Sequence, residues 1–374
     1  MNKLVLIDGN AIIHRAYHSM PKTLSTRKGE QTNAIYGFAI TLIKVLEDLK
    51  PQYLAATFDL AGPTFRHEVF EEYKATRVKA DQELYDQIPR VKQLVETMGI
   101  PIYEKDGFEA DDVIGTIVEI IQKSKIKNQK YNSKVKNKKF ISSETKEPNT
   151  LAIEQFNNLT IYIVSGDKDI FQLINGNVKV YNLKKGLSQT QIVDTEVIQN
   201  EYNLQPSDFI DLKALAGDPS DNIPGVPGIG PKTATELIQR FDTLEKIYEN
   251  ITKLLNCPIA DLNNLTIQQF NNETIEVVAK ELGLKPRVVK LLIDNKEQAF
   301  LSQHLATIHK DVPIDFDLDK CKWGMYDKSK LSQLFEELGF QSLLRRFANN
   351  ATEEQKKQEQ RSEAQKKDEQ LKLL

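Results

Sequence analysis

Apolar positions in this chain fall into short runs and helical repeats that alternate over its first two thirds. Lys3–Ile7 is an apolar strand closing at Asp8, and Tyr53–Phe58 is a second closing at Asp59. Between them Ile35, Phe38, Leu42, Val45, Leu46 and Leu49 recur at helical spacing. The pattern predicts a helix around Val91–Met98, a strand at Ile100–Tyr103, a helix over Ala110–Ile121 and a buried strand at Leu159–Val164. Strands alternating with helices imply an α/β fold with a largely parallel sheet. From Pro206 the strand signal fades. Pro206–Ala216 and Lys232–Phe241 read as helices around the turn Gly225-Val226-Pro227-Gly228-Ile229-Gly230, and Pro231 suits the first turn of the second helix. Further helices are predicted in Thr274–Leu282, Val288–Leu305 and Lys330–Phe347.

The expected organisation is an α/β domain over 1–184, a helical lobe over 185–347 with its glycine-rich hairpin at about 206–241, and a charged tail over 348–374. Residues 123–158 are rich in lysine and asparagine and lack apolar periodicity, which predicts a mobile loop between a helix and a strand. Residues 252–285, with their Asn-Asn pairs, read as a second insertion. The tail from Glu353 alternates blocks of acids and bases with no apolar face, as a solvated helix or a disordered segment would.

With 40% apolar and 28% charged residues in 374, the chain has material for a core, which excludes global disorder. No apolar run approaches the ~18 residues of a membrane span. Only four apolar residues separate Lys3 from Asp8, too few for a signal-peptide core. Two cysteines, Cys257 and Cys321, exclude a disulfide framework and a four-cysteine zinc site. A soluble cytoplasmic protein is expected, associated with the nucleoid if it acts on DNA. The net charge of −3 argues weakly against nucleic acid, but it hides segregation. Eight lysines and no acid lie between Lys123 and Lys139, so a surplus of carboxylates sits elsewhere.

That surplus collects at strand ends and the turns after them. Asp8 closes the first strand and Asp59 the second. Glu109, Asp111 and Asp112 open a helix after the third, Asp167 and Asp169 follow the Leu159–Val164 strand, and Asp218 and Asp221 precede the glycine-rich turn. In an open parallel sheet the strand C-termini share the edge where ligands bind. Any one of these acids reads equally well as a helix cap or turn residue. Five groups converging on one edge make that reading insufficient for the set. Carboxylates so crowded raise one another's pKa, and no base stands at regular helical pairing distance except around Lys168. All-oxygen ligation without histidine or cysteine favours Mg²⁺ or Mn²⁺. Two such ions about 4 Å apart clamp a phosphate diester for in-line attack.

The residues resemble a known family at this point: the 5′→3′ exonuclease/flap endonuclease domain found at the N-terminus of bacterial DNA polymerase I. The resemblance rests on Leu6-Ile7-Asp8-Gly9, His14-Arg15-Ala16-Tyr17-His18, Thr57-Phe58-Asp59, Thr64-Phe65-Arg66-His67-Glu68 and Tyr73-Lys74. It continues through Glu109-Ala110-Asp111-Asp112-Val113-Ile114-Gly115, Gly166-Asp167-Lys168-Asp169 and the long stretch from Ala214 to Ala234, and resumes at Asn295-Lys296-Glu297 and Leu305-Ala306-Thr307-Ile308.

The resemblance implies a PIN-like, resolvase-like, mostly parallel sheet flanked by helices, with a lobe carrying a helix-three-turn-helix motif. It implies that all nine acids form a site for two or more ions. Asp8, Asp59, Glu109, Asp111 and Asp112 would serve the tighter ion, and Asp167, Asp169, Asp218 and Asp221 the more labile one. Residues 62–90 would form a helical arch over a single-stranded 5′ end, presenting Arg66, Tyr73, Lys74, Arg77 and Lys79. Val78-Lys79-Ala80 departs from the prolines frequent there in the family. Lys74 would stabilise charge on the scissile phosphate, assisted by Arg15 and Arg66. Tyr73 would offer a stacking face and the basic residues would engage phosphates.

Gly225, Gly228 and Gly230, with Lys232 and Thr233, would present backbone N–H groups to a duplex phosphate, and the turn's carbonyls would hold a monovalent cation such as K⁺. The Lys123–Lys139 stretch departs from the family and is more readily a solvated loop than a DNA contact. A stand-alone form of the domain is expected, with residues 348–374 a charged tail in place of polymerase-like sequence. The end, Gln370-Leu371-Lys372-Leu373-Leu374, resembles the pentapeptide by which bacterial proteins dock on the sliding clamp.

The sequence thus leads to a monomeric, structure-specific 5′ nuclease acting on DNA flaps, nicks and RNA primers in replication and repair, with no membrane partner. The rivals are a PIN-like ribonuclease, disfavoured by the glycine-rich turn with Asp218 and Asp221, and a non-catalytic junction-binding module, which would not need nine acids.

Overall fold

The structure is a computed structural model describing residues 2–136, 158–187, 189–255 and 272–346. Six strands form one sheet: β1 (Asn2–Asp8), β2 (Tyr53–Thr57), β3 (Ile102–Tyr103), β4 (Leu159–Ser165), β5 (Val178–Lys185) and β6 (Gln189–Val193). Their order is β3-β2-β1-β4-β5-β6, parallel throughout except for the antiparallel edge pair β5–β6. β1 lies at the centre of the parallel set and is apolar on both faces, as a strand covered on both sides must be. Val5 and Ile7 enter the core beneath α1 (Gly9–Ser19) and α2 (Asn33–Leu49). Leu4 and Leu6 enter the core on the other face, beneath α6 (Ala110–Lys136).

Between β2 and β3 lie α3 (Phe65–Val69), α4 (Gln82–Tyr85) and α5 (Ile88–Thr97). Residues 62–90 therefore contain two short helices joined by turns rather than a continuous helical span. The turns rest on the loop before the glycine-rich hairpin: Lys74 N donates to Asp221 O at 2.9 Å, and Asn222 Nδ2 donates to Glu72 O at 2.6 Å.

Several expectations change, and the helix predicted at Lys330–Phe347 ends at Glu337, ahead of Gly339 at φ +77°. Helix α6 runs for 27 residues, so 123–136 continue it instead of forming a loop. Lysine and glutamine are good helix formers, and neither glycine nor proline interrupts this stretch. The remainder of the predicted loop, 137–157, lies outside the described residues, as do 256–271 of the second insertion and the tail from 347. The predicted helix at Val288–Leu305 is two helices, α12 (Pro286–Asp294) and α13 (Lys296–Ala306), broken where Asn295 leaves helical geometry at φ −121° and ψ 27°.

Strands β5 and β6 straddle residue 185, and both belong to the sheet. The edge pair escaped the sequence reading because lysines and glutamines interrupt it, with Lys184 and Gln189 exposed, which removes the apolar run of a buried strand. The helical lobe follows as α7 (Thr195–Tyr202), α8 (Asp208–Ala216), α9 (Pro231–Phe241), α10 (Leu244–Leu254), α11 (Asn272–Leu282), α12 and α13, around its own core.

After α13 the chain returns to the α/β domain as a strap held by polar side chains. Gln172 donates to Ala306 O and accepts from Ile308 N, both at 3.0 Å, and Thr116 Oγ1 accepts from Val312 N at 3.0 Å. Gly115 faces the strap so closely that a Cβ there would lie 2.6 Å from Ile308. Helix α14 (Lys328–Glu337) then packs Leu331, Leu334 and Phe335 into the first core. Among the described residues no helix is long and apolar enough to cross a membrane.

Candidate active site

Pairing of Asp8 with Thr57 and of Ile7 with Val164 sets the ends of β1, β2 and β4 side by side, about 4.8 Å apart. This placement gathers Asp8, Asp59 and Asp167 on one edge. Asp8 caps α1 by accepting from Ala11 N at 3.0 Å, and its other oxygen accepts from Ser165 Oγ at 2.7 Å. Asp59 accepts from Ala110 N at 2.7 Å and Asn10 Nδ2 at 2.9 Å, which ties β2 to the start of α6 and to α1. The first turn of α6 supplies Asp111 and Asp112, directly after Glu109. Asp169 opens a 3₁₀ turn (Asp169–Leu173) after β4, and its N–H donates to Asp167 Oδ1 at 3.0 Å. Asp218 and Asp221 reach the same edge from the loop after α8.

The electrostatics divide these acids. Burial pushes the Asp8 carboxyl up to about 7, with Asp59 and Asp167 adding like charge against the pull of its hydrogen bonds. Burial also raises Asp59, and Glu109 adds to the shift. Asp111 is raised well above the carboxylate range by burial and then by Asp112 and Glu109, and its Oδ1 is buried without a hydrogen-bond partner. Burial and Asp167 push Asp169 up to about 7 despite Lys213. At Asp218 and Asp221 burial works in the same direction, but it is outweighed. Lys213 brings Asp218 below its ordinary value, and Lys74 and Arg77 do the same for Asp221.

The counter-charge comes from tertiary contacts that regular helical spacing could not reveal. Lys74 Nζ lies 2.5 Å from Glu109 Oε1 and 3.9 Å from Asp221 Oδ2. Arg77 pairs with Asp221, and Lys213 pairs with Asp169 and, at 2.5 Å, with Asp218. Lys213, with Asn10, Ser165 and Gln172, was missed by the sequence reading. The one signal for Lys213 is its place immediately before the Ala214–Ala234 stretch of the resemblance, five residues before Asp218. With these bases interleaved, no three His, Cys, Asp or Glu side chains among the described residues close on one point as a metal cage would. The donor set nevertheless fits a hard divalent cation. It is all oxygen, it holds four acids whose ionised forms are destabilised by burial, and it contains the orphaned Asp111 Oδ1.

Two residues expected to face substrate are turned inward. Arg66 is 2% exposed and forms a fork with Asp112, with Nη1 to Oδ2 at 2.8 Å and Nη2 to Oδ1 at 2.9 Å. Its Nε and Nη2 also donate to the strap at Leu305 O and Thr307 O, and Nη1 reaches Glu109 Oε2 at 3.4 Å. Asp112 accepts two further backbone N–H groups, from Glu109 at 3.0 Å and His309 at 2.8 Å, so its lone pairs are committed. Tyr73 is 3% exposed and donates its hydroxyl toward Glu109 and Asp221, both at 3.2 Å, so its ring offers no open stacking face. Arg77 and Lys79 are exposed as expected. Arg15 lies against Gly166, where a Cβ would sit 2.4 Å from its Nη2. It has no hydrogen-bond or ion-pair partner among the described residues.

A cleft of about 600 Å³ opens between α1 and the Asp167–Asp169 and Asp218–Ser220 turns. Beyond it, the turn between α8 and α9 is braced from behind. Gly225 N donates to Ser302 Oγ at 3.0 Å, and Gln298 Nε2 donates to Gly225 O at 2.7 Å. Gly225, at φ +63°, and Gly217, at φ +74°, sit back to back, and a Cβ on Gly225 would fall 2.2 Å from Gly217 N. Gly228 is also left-handed, at φ +89°, Pro231 opens α9, and Lys232 projects into solvent.

A parallel sheet with acids on its C-terminal edge, joined to a helical lobe with a glycine-rich hairpin, defines the class of two-lobed, acid-centred 5′ nucleases. The chain belongs to the 5′-3′ exonuclease family: its N-terminal resolvase-like domain matches residues 3–131 and its C-terminal SAM-fold domain matches 204–329. Among curated relatives, the DNA polymerase I of Bacillus subtilis (strain 168) is 34% identical over 356 residues, 95% of this chain and 33% of the polymerase. That of Lactococcus lactis subsp. cremoris is 33% identical over 342 residues, 91% of this chain and 32% of the polymerase. The chain thus spans about a third of the length of these relatives. A solved bacteriophage T5 flap endonuclease, in complex with DNA and metal ions, superposes with TM-score 0.54 at 18% identity, covering 94% of this chain and 98% of that one. This superposition supports the fold.

Proposed function

We propose that the chain is a structure-specific 5′ nuclease that hydrolyses phosphodiesters at 5′ flaps, nicks and RNA primers, leaving a 5′-phosphate and a 3′-hydroxyl. The observation that carries the reading is the orphaned, buried Asp111 Oδ1 beside Glu109 and Asp112, at the sheet edge where Asp8 and Asp59 also stand. Such a group is unsatisfied by protein and suited to a divalent cation. Mg²⁺ or Mn²⁺, when bound, supplies neutralising charge for the diester and acidifies water. Asp8, Asp59, Glu109 and Asp111 would hold it. Asp167, Asp169, Asp218 and Asp221 would serve a second ion, while Asp112 orients the cluster through Arg66.

The chain's own groups do the rest. Lys74 leaves Glu109 for a phosphate oxygen of the reacting diester. Arg15, unpaired above Gly166, holds the same phosphate or its neighbour. Backbone N–H groups of Gly228 and Gly230, with Lys232 and Thr233, hold duplex phosphates without reading sequence, whereas those of Gly225 and Ile229 are committed to Ser302 Oγ and Val226 O. The turn would accept K⁺ through carbonyls other than that of Gly225, which Gln298 already occupies. Arg77 and Lys79 flank the path of the 5′ strand.

A 5′-labelled flap duplex is the test. A cut near the junction in Mg²⁺, abolished by EDTA and by Asp111→Ala with DNA binding intact, is the expected result. Binding without cutting in both Mg²⁺ and Mn²⁺ would favour a junction-binding module, and activity of Asp111→Ala above about one per cent would remove it from the metal centre. We further propose a monomer of the nucleoid, tethered to the sliding clamp through Gln370–Leu374, a segment outside the described residues. Unchanged clamp affinity after deleting those five residues would end that part of the proposal.

A further inference from the structure

Helix α1 presents two faces with different tasks. Ile12, Ile13, Ala16 and Tyr17 are buried in the core and account for its packing. Ala11, His14, Arg15 and His18 fall at i, i+3, i+4 and i+7, and all four line the cleft beside the acids. Both imidazoles are solvent-exposed and, among the described residues, neither has a hydrogen bond or ion pair. The His18 ring is fixed edge-on against Tyr17 at 5.3 Å. Asp81, whose charge acts on it, is already taken by Tyr17 at 2.7 Å and Lys22 at 2.5 Å.

Since Asp8 caps this helix, its axis leads away from the proposed metal centre. At 1.5 Å per residue, His14 stands about 9 Å and His18 about 15 Å along it. The cleft therefore has an acid-rich wall, from Asp167, Asp169 and Asp218 with Lys168 and Lys213 among them, and a facing wall of unpaired donors. A phosphodiester backbone fits between two such walls, turned toward cations on one side and N–H donors on the other.

We propose that the His14–His18 face of α1 is a phosphate track that grips the nucleic-acid backbone beyond the reacting diester, each imidazole donating a ring N–H to a phosphate oxygen. The track rests on the nuclease reading, and it adds a contact surface to that reading. Contacts of this kind carry no base readout, so they extend the recognition of shape. Ala11 leaves the floor of the track open, and Arg15 stands between His14 and His18.

The test is equilibrium binding by the full chain with Ca²⁺ in place of Mg²⁺, so that carboxylates are masked and cleavage is suppressed. The DNAs are a fluorescent 5′-flap duplex and the same nicked duplex without a flap. The His14→Ala/His18→Ala double variant is expected to bind at least tenfold more weakly. His14→Gln, which keeps an N–H donor at a similar reach, should stay within threefold of the parent, as should Lys253→Ala on the far lobe. Thermal midpoints recorded alongside separate lost contact from lost folding. A loss confined to the flap substrate places the track on the single strand, and an equal loss on both places it on the duplex strand. Binding of both DNAs within twofold of the parent by the double variant overturns the track while leaving the nuclease reading intact. A parent protein that binds neither DNA overturns both.

Discussion

Arg66 and Asp112 meet fork to fork in the interior, at 2.8 and 2.9 Å, with side-chain exposures of 2% and 0%. The pair joins α3 to α6, and through Leu305 O, Thr307 O and His309 N it also fixes the strap returning from the helical lobe. Removing one member leaves a buried charge without its partner, a change that costs about 3–5 kcal/mol. Arg66→Ala and Asp112→Ala should each lower the urea midpoint by that order. Arg66→Lys should recover only part of the loss, since an ammonium cannot make the two-pronged contact. Asp111→Asn, two side chains that differ in charge at a site with an orphaned oxygen, should leave the metal-free midpoint unchanged or raise it. Equal losses at 111 and 112 would mean that the two carboxylates do not divide structural and ligand roles.

This division could not be read from Asp111-Asp112 alone. The strand-end acids were legible because their placement is local: an apolar run, then an acid, at the C-terminal edge that a parallel sheet must share. Their counter-charges were not, because those come from far along the chain. Lys74 is 35 positions from Glu109, Lys213 is 44 from Asp169, and Arg66 is 46 from Asp112. Nothing in Thr64-Phe65-Arg66-His67 announces that the arginine turns into the core. Tyr73 misled for a related reason: an aromatic among bases suits stacking on a base, yet its hydroxyl finds two acids inside the fold. The buried strands were legible from continuous apolar character, whereas the edge pair β5–β6 and the break at Asn295 depend on solvent exposure and backbone geometry.

Two glycines separate a functional effect from a structural one. At Gly166 an added Cβ meets only the end of the Arg15 side chain, at 2.4 Å, and a flexible guanidinium can move away. Gly166→Ala should therefore keep the unfolding midpoint while flap cleavage falls about tenfold or more, through loss of the Arg15 contact. At Gly225 the Cβ meets backbone at 2.2 Å from a left-handed φ of +63°. Gly225→Ala should destabilise the helical lobe by several kcal/mol. Parallel melting and cleavage assays distinguish the two, and a Gly166→Ala protein of full activity would remove Arg15 from the chemistry.

Stability of the metal-free protein should fall as pH rises, opposite to the usual acid denaturation. Asp8 ionises near 7 in the fold and at 3.8 when unfolded. Its neutral form is favoured by the fold, so its contribution is fully present below 3.8 and is lost as pH climbs to about 7. At 1.36 kcal/mol per pH unit that is at most about 4 kcal/mol. Urea midpoints in EDTA across pH 4–8 should carry this downward slope, and Asp8→Asn should make it shallower while keeping the helix cap, leaving the share of Asp59, Asp111 and Asp169. Saturating Mg²⁺ should reverse the trend, since binding needs the ionised acids. An unchanged slope in Asp8→Asn would place the titration elsewhere.

Lys74 and Lys213 occupy the carboxylates that a divalent ion needs. Lys74 sits 2.5 Å from Glu109, and Lys213 lies between Asp169 and Asp218. An ammonium within a carboxylate cluster lowers its affinity for another cation twice over, by charge repulsion and by occupying oxygens. Removing either lysine should therefore tighten Mn²⁺ binding, by about tenfold for a net gain near 1.4 kcal/mol. Cleavage should move the other way for Lys74, which is needed at the reacting phosphate, and Lys74→Ala should lose it by several orders of magnitude. Calorimetric titration with Mn²⁺ beside flap cleavage reads both quantities on one preparation. The opposed signs are the signature of a lysine that guards the empty centre and serves the loaded one. Weaker Mn²⁺ binding in Lys74→Ala would instead make the lysine a support for the ligand geometry.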